Sequence, residues 1–276
     1  IPAAMAGGVI QINLVVGRQV ASYFEGAVAW LNYADRIYQL PLGVIGIAIS
    51  IVLLPKLSKT TSKNLTRDNK NIINRSIEFA LFFTMPATCA LLIIPLPIIS
   101  NLFERGAFTS IDSIQTSKAL FVYGMGLPAF VFQKIFSTIY FSHGNTKAPF
   151  IFALIGMIVN LILAIGLTGV LGYLAPAVGT TLSGWLIAIL LWKNSKVFNF
   201  SFDIKFKSVF LKLSLACFGF SCFLFTINYF FSDMLMLRTT KIFSFVIIIL
   251  TSALFYLLLC QLIGIKKSLL RIQATK

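Results

Sequence analysis

Five stretches of this chain contain no Asp, Glu, Lys or Arg: residues 37–54, 79–101, 148–192, 213–232 and 242–265. A helix needs about 18 to 20 apolar residues to cross a bilayer, so each run is read as a membrane span. The run 148–192 holds two, with LTGVLGYLAP as the turn between them. Residues 2–23 and 119–141 are nearly as apolar, giving eight expected spans at 3–24, 29–54, 75–98, 117–141, 148–169, 174–194, 210–231 and 240–264. The runs lack the alternation of a membrane β-barrel strand. The expected fold class is therefore an all-α polytopic membrane protein. Composition agrees, since only 11% of residues are charged, less than half the share of a soluble domain.

The net charge of +15 could indicate nucleic acid, but its distribution indicates topology. Alternate loops (those around Lys56–Arg75, at Lys147, across Lys193–Lys212 and after Ile265) carry a net +13, whereas the opposite loops and span ends carry +1. Basic loops stay cytoplasmic, so the first span enters from the cytoplasm and the C-terminus lies inside. No nucleic-acid partner is expected. The chain starts at Ile1, directly in a span, and reads as a piece of something longer.

Three spans carry polar groups on one helical face. In the first these are Gly7, Gln11, Arg18 and Ser22; in the second Arg36, Gln39, Gly43, Gly46 and Ser50, with Ile37, Leu40, Val44 and Ile51 facing elsewhere. In the fourth, Tyr123, Phe130 and either Thr138 or Ser137 share a face with a deep Lys134. A charge near the bilayer centre costs at least about 2.5–3.5 kcal/mol, so such groups face a bundle interior or a water-filled cavity. Two readings stay open for Arg18 and Arg36: snorkelling to headgroups, or facing a hydrated cavity. Asp35 is expected to point off the Arg36 face, since neighbouring helical residues do not face each other. Asn160, with Gly156 and Ala164 four residues to either side, reads first as interhelical glue and second as an ion ligand.

Catalytic constellations are missing. His143 is the single histidine and has no carboxylate beside it in sequence, and no span holds paired acids, H-E-x-x-H or a phosphate-cradling Gly-rich loop. Cys89, Cys217, Cys222 and Cys260 all fall in expected spans without a C-x-x-C pattern, so they are read as apolar packing residues. No cofactor, metal or catalytic residue is assigned. A positively charged cavity without acid–base machinery points to moving an anionic substrate rather than transforming it.

WLNYADRIYQLPLGVIGIAISIVLLPKLSK, LFERGAFTSIDSIQTSKAL and KIFSTIYFSHGNTKAP resemble the MurJ (MviN) lipid II flippases of the MOP exporter superfamily. The resemblance runs to about residue 197 and implies the C-terminal half of a two-lobe transporter. On that reading, 1–197 is a six-helix lobe and 198–276 holds two extra helices and a cytoplasmic tail. The N-terminal lobe is then a missing partner. The resemblance further implies a bacterial inner-membrane location and membrane lipids as surroundings. It also implies alternating-access transport of lipid II, the undecaprenyl diphosphate-linked peptidoglycan precursor. Arg36 and Lys134 match cavity residues of the family, and Arg18, Gln39 and Gln11 join them as candidate substrate-binding residues. A sodium site known in some members would need acids where this chain has Gly17 and Ala164, leaving Asn160 as a weak ion-binding candidate. Other readings are a flippase for another polyprenyl-linked glycan, a drug exporter of the same superfamily, a non-transporting helper, or a glycan-polymerising enzyme using Glu25, Glu104 or Asp112.

Overall fold

The computed structural model describes residues 15–58, 65–230 and 241–265. Residues 15–21 are helical (α1). They are followed by α2 (Ala27–Ser58), α3 (Arg67–Ile93), α4 (Pro95–Phe103), α5 (Ser110–Ser142), α6 (Lys147–Gly166), the short α7 (Thr168–Leu171), α8 (Ala175–Asn194), α9 (Ile204–Phe230) and α10 (Lys241–Leu262). Among the described residues, six helices are long and apolar enough to cross a bilayer, and α2 adds 32 residues of helix. The first expected span lies mainly outside the described residues, as do the loop lysines Lys59 and Lys63 and the tail beyond Ile265.

The boundaries differ from expectation where local chemistry overrides hydropathy. The expected span 75–98 breaks at Ile94, and α4 restarts with Pro95 in its first turn. Proline has no N–H and clashes with the preceding turn, so it starts helices more readily than it continues them. Helix α5 begins at Ser110, two turns before the expected 117, because Thr109 and Asp112 form a reciprocal capping box. Similarly, Asp203 accepts from the backbone N–H of Phe206 at 2.6 Å and starts α9 ahead of the expected 210.

Helix α5 is central, packing against α2, α3, α4 and α8. Its contact with α8 is stitched by side chains bonded to backbone. Thr181 donates to the Val122 carbonyl at 2.9 Å, Trp185 to Met125 at 3.0 Å, Gln133 to Gly184 at 2.7 Å, and Tyr140 to Leu191 at 3.1 Å. Pro128 lies inside α5 and removes one rung of its ladder. The Phe130 ring fills the space at Gly184, where a β-carbon would come within 2.6 Å of it.

Outward faces of α9 and α10 expose Leu211, Leu215, Phe218, Phe225, Phe243, Leu250 and Leu254. Apolar surface on this scale is stable only in lipid. This is a multi-pass membrane protein.

At the end of the bundle carrying the α1–α2 and α4–α5 turns, polar side chains serve structure. Trp30 donates to Asp112 at 2.7 Å, Ser113 to Glu104 at 2.7 Å, and Tyr173 to the Gln115 side chain at 2.8 Å. At the opposite end Arg75 pairs with both Glu78 and Asp203. Asn74 reaches the Ser201 carbonyl at 3.2 Å, and Phe198 packs on His143 at 4.4 Å. Glu78 and Asp203, which hydropathy reads as ordinary loop charges, thus tie α3 to the segment leading into α9, with Glu78 fully buried.

Candidate functional site

Helix α2 turns one side inward and leaves the other open. Ala34, Tyr38 and Ile45 are buried, and the Tyr38 ring stacks on Tyr123 at 5.0 Å and lies 5.5 Å from Phe130, both on α5. Arg36 and Gln39 are exposed, with Gly43 half-buried beside them. The side expected to face elsewhere is not the buried one, because Leu40 and Val44 are 65% and 74% exposed. They flank the polar strip rather than oppose it. At 100° per residue, positions 40 and 44 follow 36 and 43 on the same outward half.

Lys134 joins this face from α5. It is exposed, and its aliphatic stem lies over Gly46, 3.5 Å from where a β-carbon would stand. Gly46 gives the lysine a shallow seat and lets the two helices approach. The backbone carbonyl of Lys134 accepts the Thr138 hydroxyl at 2.8 Å, and Tyr123 and Thr138 are buried. Lys134 is thus the outward member of the stripe expected in this span. Ten residues separate Arg36 from Gly46, about 15 Å along the helix axis. The two cations therefore mark separate levels of one face.

Asp35 departs from expectation. It does not point away, since its Oδ2 accepts a hydrogen bond from Gln39 Nε2, as i and i+4 positions on one helical face allow. This carboxylate lies in the field of Arg18 on α1 and of Arg36. Arg18 is exposed. The structure thus gathers Arg18, Asp35, Arg36 and Gln39 at one level and Lys134 at another. Among the described residues, the carboxylate ion pairs are those of Arg75 with Glu78 and Asp203, leaving Arg18, Arg36 and Lys134 without an acid partner. Gln11 lies outside the described residues, as does the side chain of Ser50.

Asn160 is elsewhere. It is buried in the α6–α8 contact, where a β-carbon on Gly179 would collide with its Oδ1. Gly17 of α1 meets the same helix, 3.7 Å from Pro176 Cβ at the position of its absent β-carbon. With Gly17 and Ala164 in place of acids, this junction is close-packed around small residues and does not fit a sodium ion, which needs several oxygen donors around an open space. Cys217 and Cys260 are buried, Cys89 is half-buried and Cys222 is exposed on the apolar exterior of α9.

Two of the three acids that an enzyme reading would recruit, Glu104 and Asp112, are otherwise committed, while Glu25 is exposed. Asp112 accepts from the Thr109 backbone and hydroxyl, both at 2.7 Å, and from Trp30, while Glu104 holds Ser113. Asp35 was the role that sequence reasoning missed. Its spacing of four from Gln39 was the available signal; the seating of Lys134 on Gly46 left none.

Comparison with known proteins agrees with this geometry. A sequence profile described as "Lipid II flippase MurJ" matches residues 1–251. The chain is 46% identical over 192 residues to the "Probable lipid II flippase MurJ" of Rhizobium meliloti (strain 1021), covering 70% of this chain and 36% of that protein. Against the Rickettsia prowazekii (strain Madrid E) protein of the same description, identity is 34% over 253 residues, covering 90% of this chain and 50% of the relative. A solved structure titled "Lipid II flippase MurJ, inward closed conformation" superposes with a TM-score of 0.77 at 35% identity, over 94% of this chain and 52% of that one. The chain spans between a third and about half of the length of these proteins, all described as flippases and none as an enzyme. It belongs to the lipid II flippase MurJ family.

Proposed function

We propose that this chain forms one half of a lipid II flippase, in which the open α2–α5 face is one wall of the transport cavity. Residues 1–197 form the lobe, and 198–276 the two additional helices. An N-terminal six-helix lobe supplies the opposite wall, and transport proceeds by alternating access of the two lobes around the shared site. One observation carries the reading: a lipid-embedded helix bundle presents Arg36 and Lys134 on a single open face, and among the described residues no acid forms an ion pair with either. Uncompensated cations at membrane depth require an anion, and the diphosphate of an undecaprenyl-linked precursor supplies one.

Guanidinium binds phosphate oxygens through a planar fork, and ammonium acts as a point charge. With the basic loops cytoplasmic, Lys134 lies nearer the inner leaflet and Arg36 nearer the outer. The precursor then meets Lys134 first and Arg36 about 15 Å further on. Arg18 of the first span lines the same cavity, Gln11 is a further candidate substrate-binding residue, and the C-terminus is cytoplasmic. Asn160 serves as interhelical glue rather than as an ion ligand.

The test is lipid II transport by the complete two-lobe transporter reconstituted in vesicles. Lys134→Met keeps the volume and removes the charge; the expected result is normal expression with transport reduced at least tenfold, about 1.4 kcal/mol in barrier. Unchanged transport in this variant removes Lys134 from the path. Transport of a different polyprenyl-linked glycan in preference to lipid II overturns the substrate assignment.

A further inference from the structure

The obvious counter-ion for the two arginines lies beside them and does not use them. Asp35 precedes Arg36 directly and lies in the field of Arg18, yet among the described residues neither arginine forms an ion pair with it. Its Oδ2 is taken by Gln39 Nε2, one helical turn on. Tyr38, between the two, is only 7% exposed and its ring is fixed in the stack with Tyr123 and Phe130 of α5, so the helical turn that carries Asp35 and Gln39 is anchored in the core of the lobe. Gln39 supplies an N–H donor at this position, which an apolar residue cannot.

We infer that Gln39 is a positioning residue that holds the Asp35 carboxylate away from Arg18 and Arg36 and so keeps their phosphate-binding donors free. The inference rests on the reading of this face as the diphosphate site. Without the clamp, the carboxylate turns on its two side-chain torsions toward a guanidinium. The resulting bidentate pair occupies the donors that the phosphate requires. An incoming diphosphate then has to break an internal ion pair before it binds. The clamp explains why an acid is tolerated beside an anion site: it keeps the local field moderate when the cavity is empty without closing the site.

A double-mutant comparison tests this on the complete transporter in lipid nanodiscs, with undecaprenyl diphosphate as the probe. Binding affinity and Tm are measured for the wild type, Gln39→Leu, Asp35→Asn, the double variant and Arg36→Ala. The expected result is roughly tenfold weaker binding in Gln39→Leu, the scale of one charge-assisted hydrogen bond. Asp35→Asn is expected to bind at least as well as wild type. The double variant should return to within about twofold of Asp35→Asn, because no carboxylate remains to swing. A double variant as weak as Gln39→Leu overturns the inference, whether Gln39 touches the ligand itself or serves only the fold, and the Tm series separates those two. Wild-type binding by Gln39→Leu overturns it as well. Arg36→Ala is the independent control: if it binds like wild type, the anion-site reading fails, whatever the Gln39 series gives.

Discussion

Arg36 is exposed on a helix where Tyr38, two residues on, is buried in a ring stack. That contrast decides between snorkelling and cavity lining only through function, because both leave the guanidinium in a polar medium. The expected order of activity in the complete transporter is wild type, Arg36→Lys, Arg36→Ala. Lysine keeps the charge but loses the fork, which makes the exchange non-conservative at a phosphate. Growth of a depletion strain complemented by each variant, at matched membrane expression, checks the order; full growth of Arg36→Ala would mean that the arginine merely snorkels. Asp35 shows how a single residue can mislead. Adjacency to Arg36 put it off the face, while its fourth neighbour, Gln39, put it on the face, and helical geometry favours the fourth neighbour.

At the scale of elements, the helices are held by polar contacts that hydropathy cannot register. Arg75 bridges Glu78 on α3 to Asp203 at the start of α9, and Glu78 is 0% exposed. Arg75→Leu strands that carboxylate and is expected to destabilise the protein by about 3–5 kcal/mol, while Arg75→Leu combined with Glu78→Leu recovers most of the loss. Chemical denaturation in detergent micelles reads both, and a double variant no more stable than the single would show that the buried charge is not the cause. Asp112 tests the other end. Its removal in Asp112→Ala costs about 1 kcal/mol through loss of the side-chain half of the capping box, and loses the bond from Trp30 as well. Transport that persists in the stable fraction identifies the acid as structural; abolished transport at normal folding would reopen a catalytic role.

For the whole molecule, the decisive quantity is how much of a transporter the chain contains. It covers 52% of the similar solved flippase, and alternating access requires two bundles moving about one site. Vesicles reconstituted with residues 1–276 alone are therefore expected to bind lipid II weakly and not to translocate it, as measured by accessibility of labelled lipid II to an external quencher. Translocation by this chain alone would require it to form both walls, as a dimer of lobes. The membrane class and most of the helices among the described residues were legible in the sequence, because a bilayer penalises every unpaired charge and leaves long charge-free runs as its mark. Helix starts at Ser110 and Ile204 were less legible, since capping by Thr109, Asp112 and Asp203 outweighs local polarity. Only tertiary structure could place Lys134 over Gly46, Asn160 against Gly179 and Glu78 beside Arg75 and Asp203. Those contacts depend on which helices become neighbours, and packing of apolar surfaces sets that, on which a linear pattern of charge is silent.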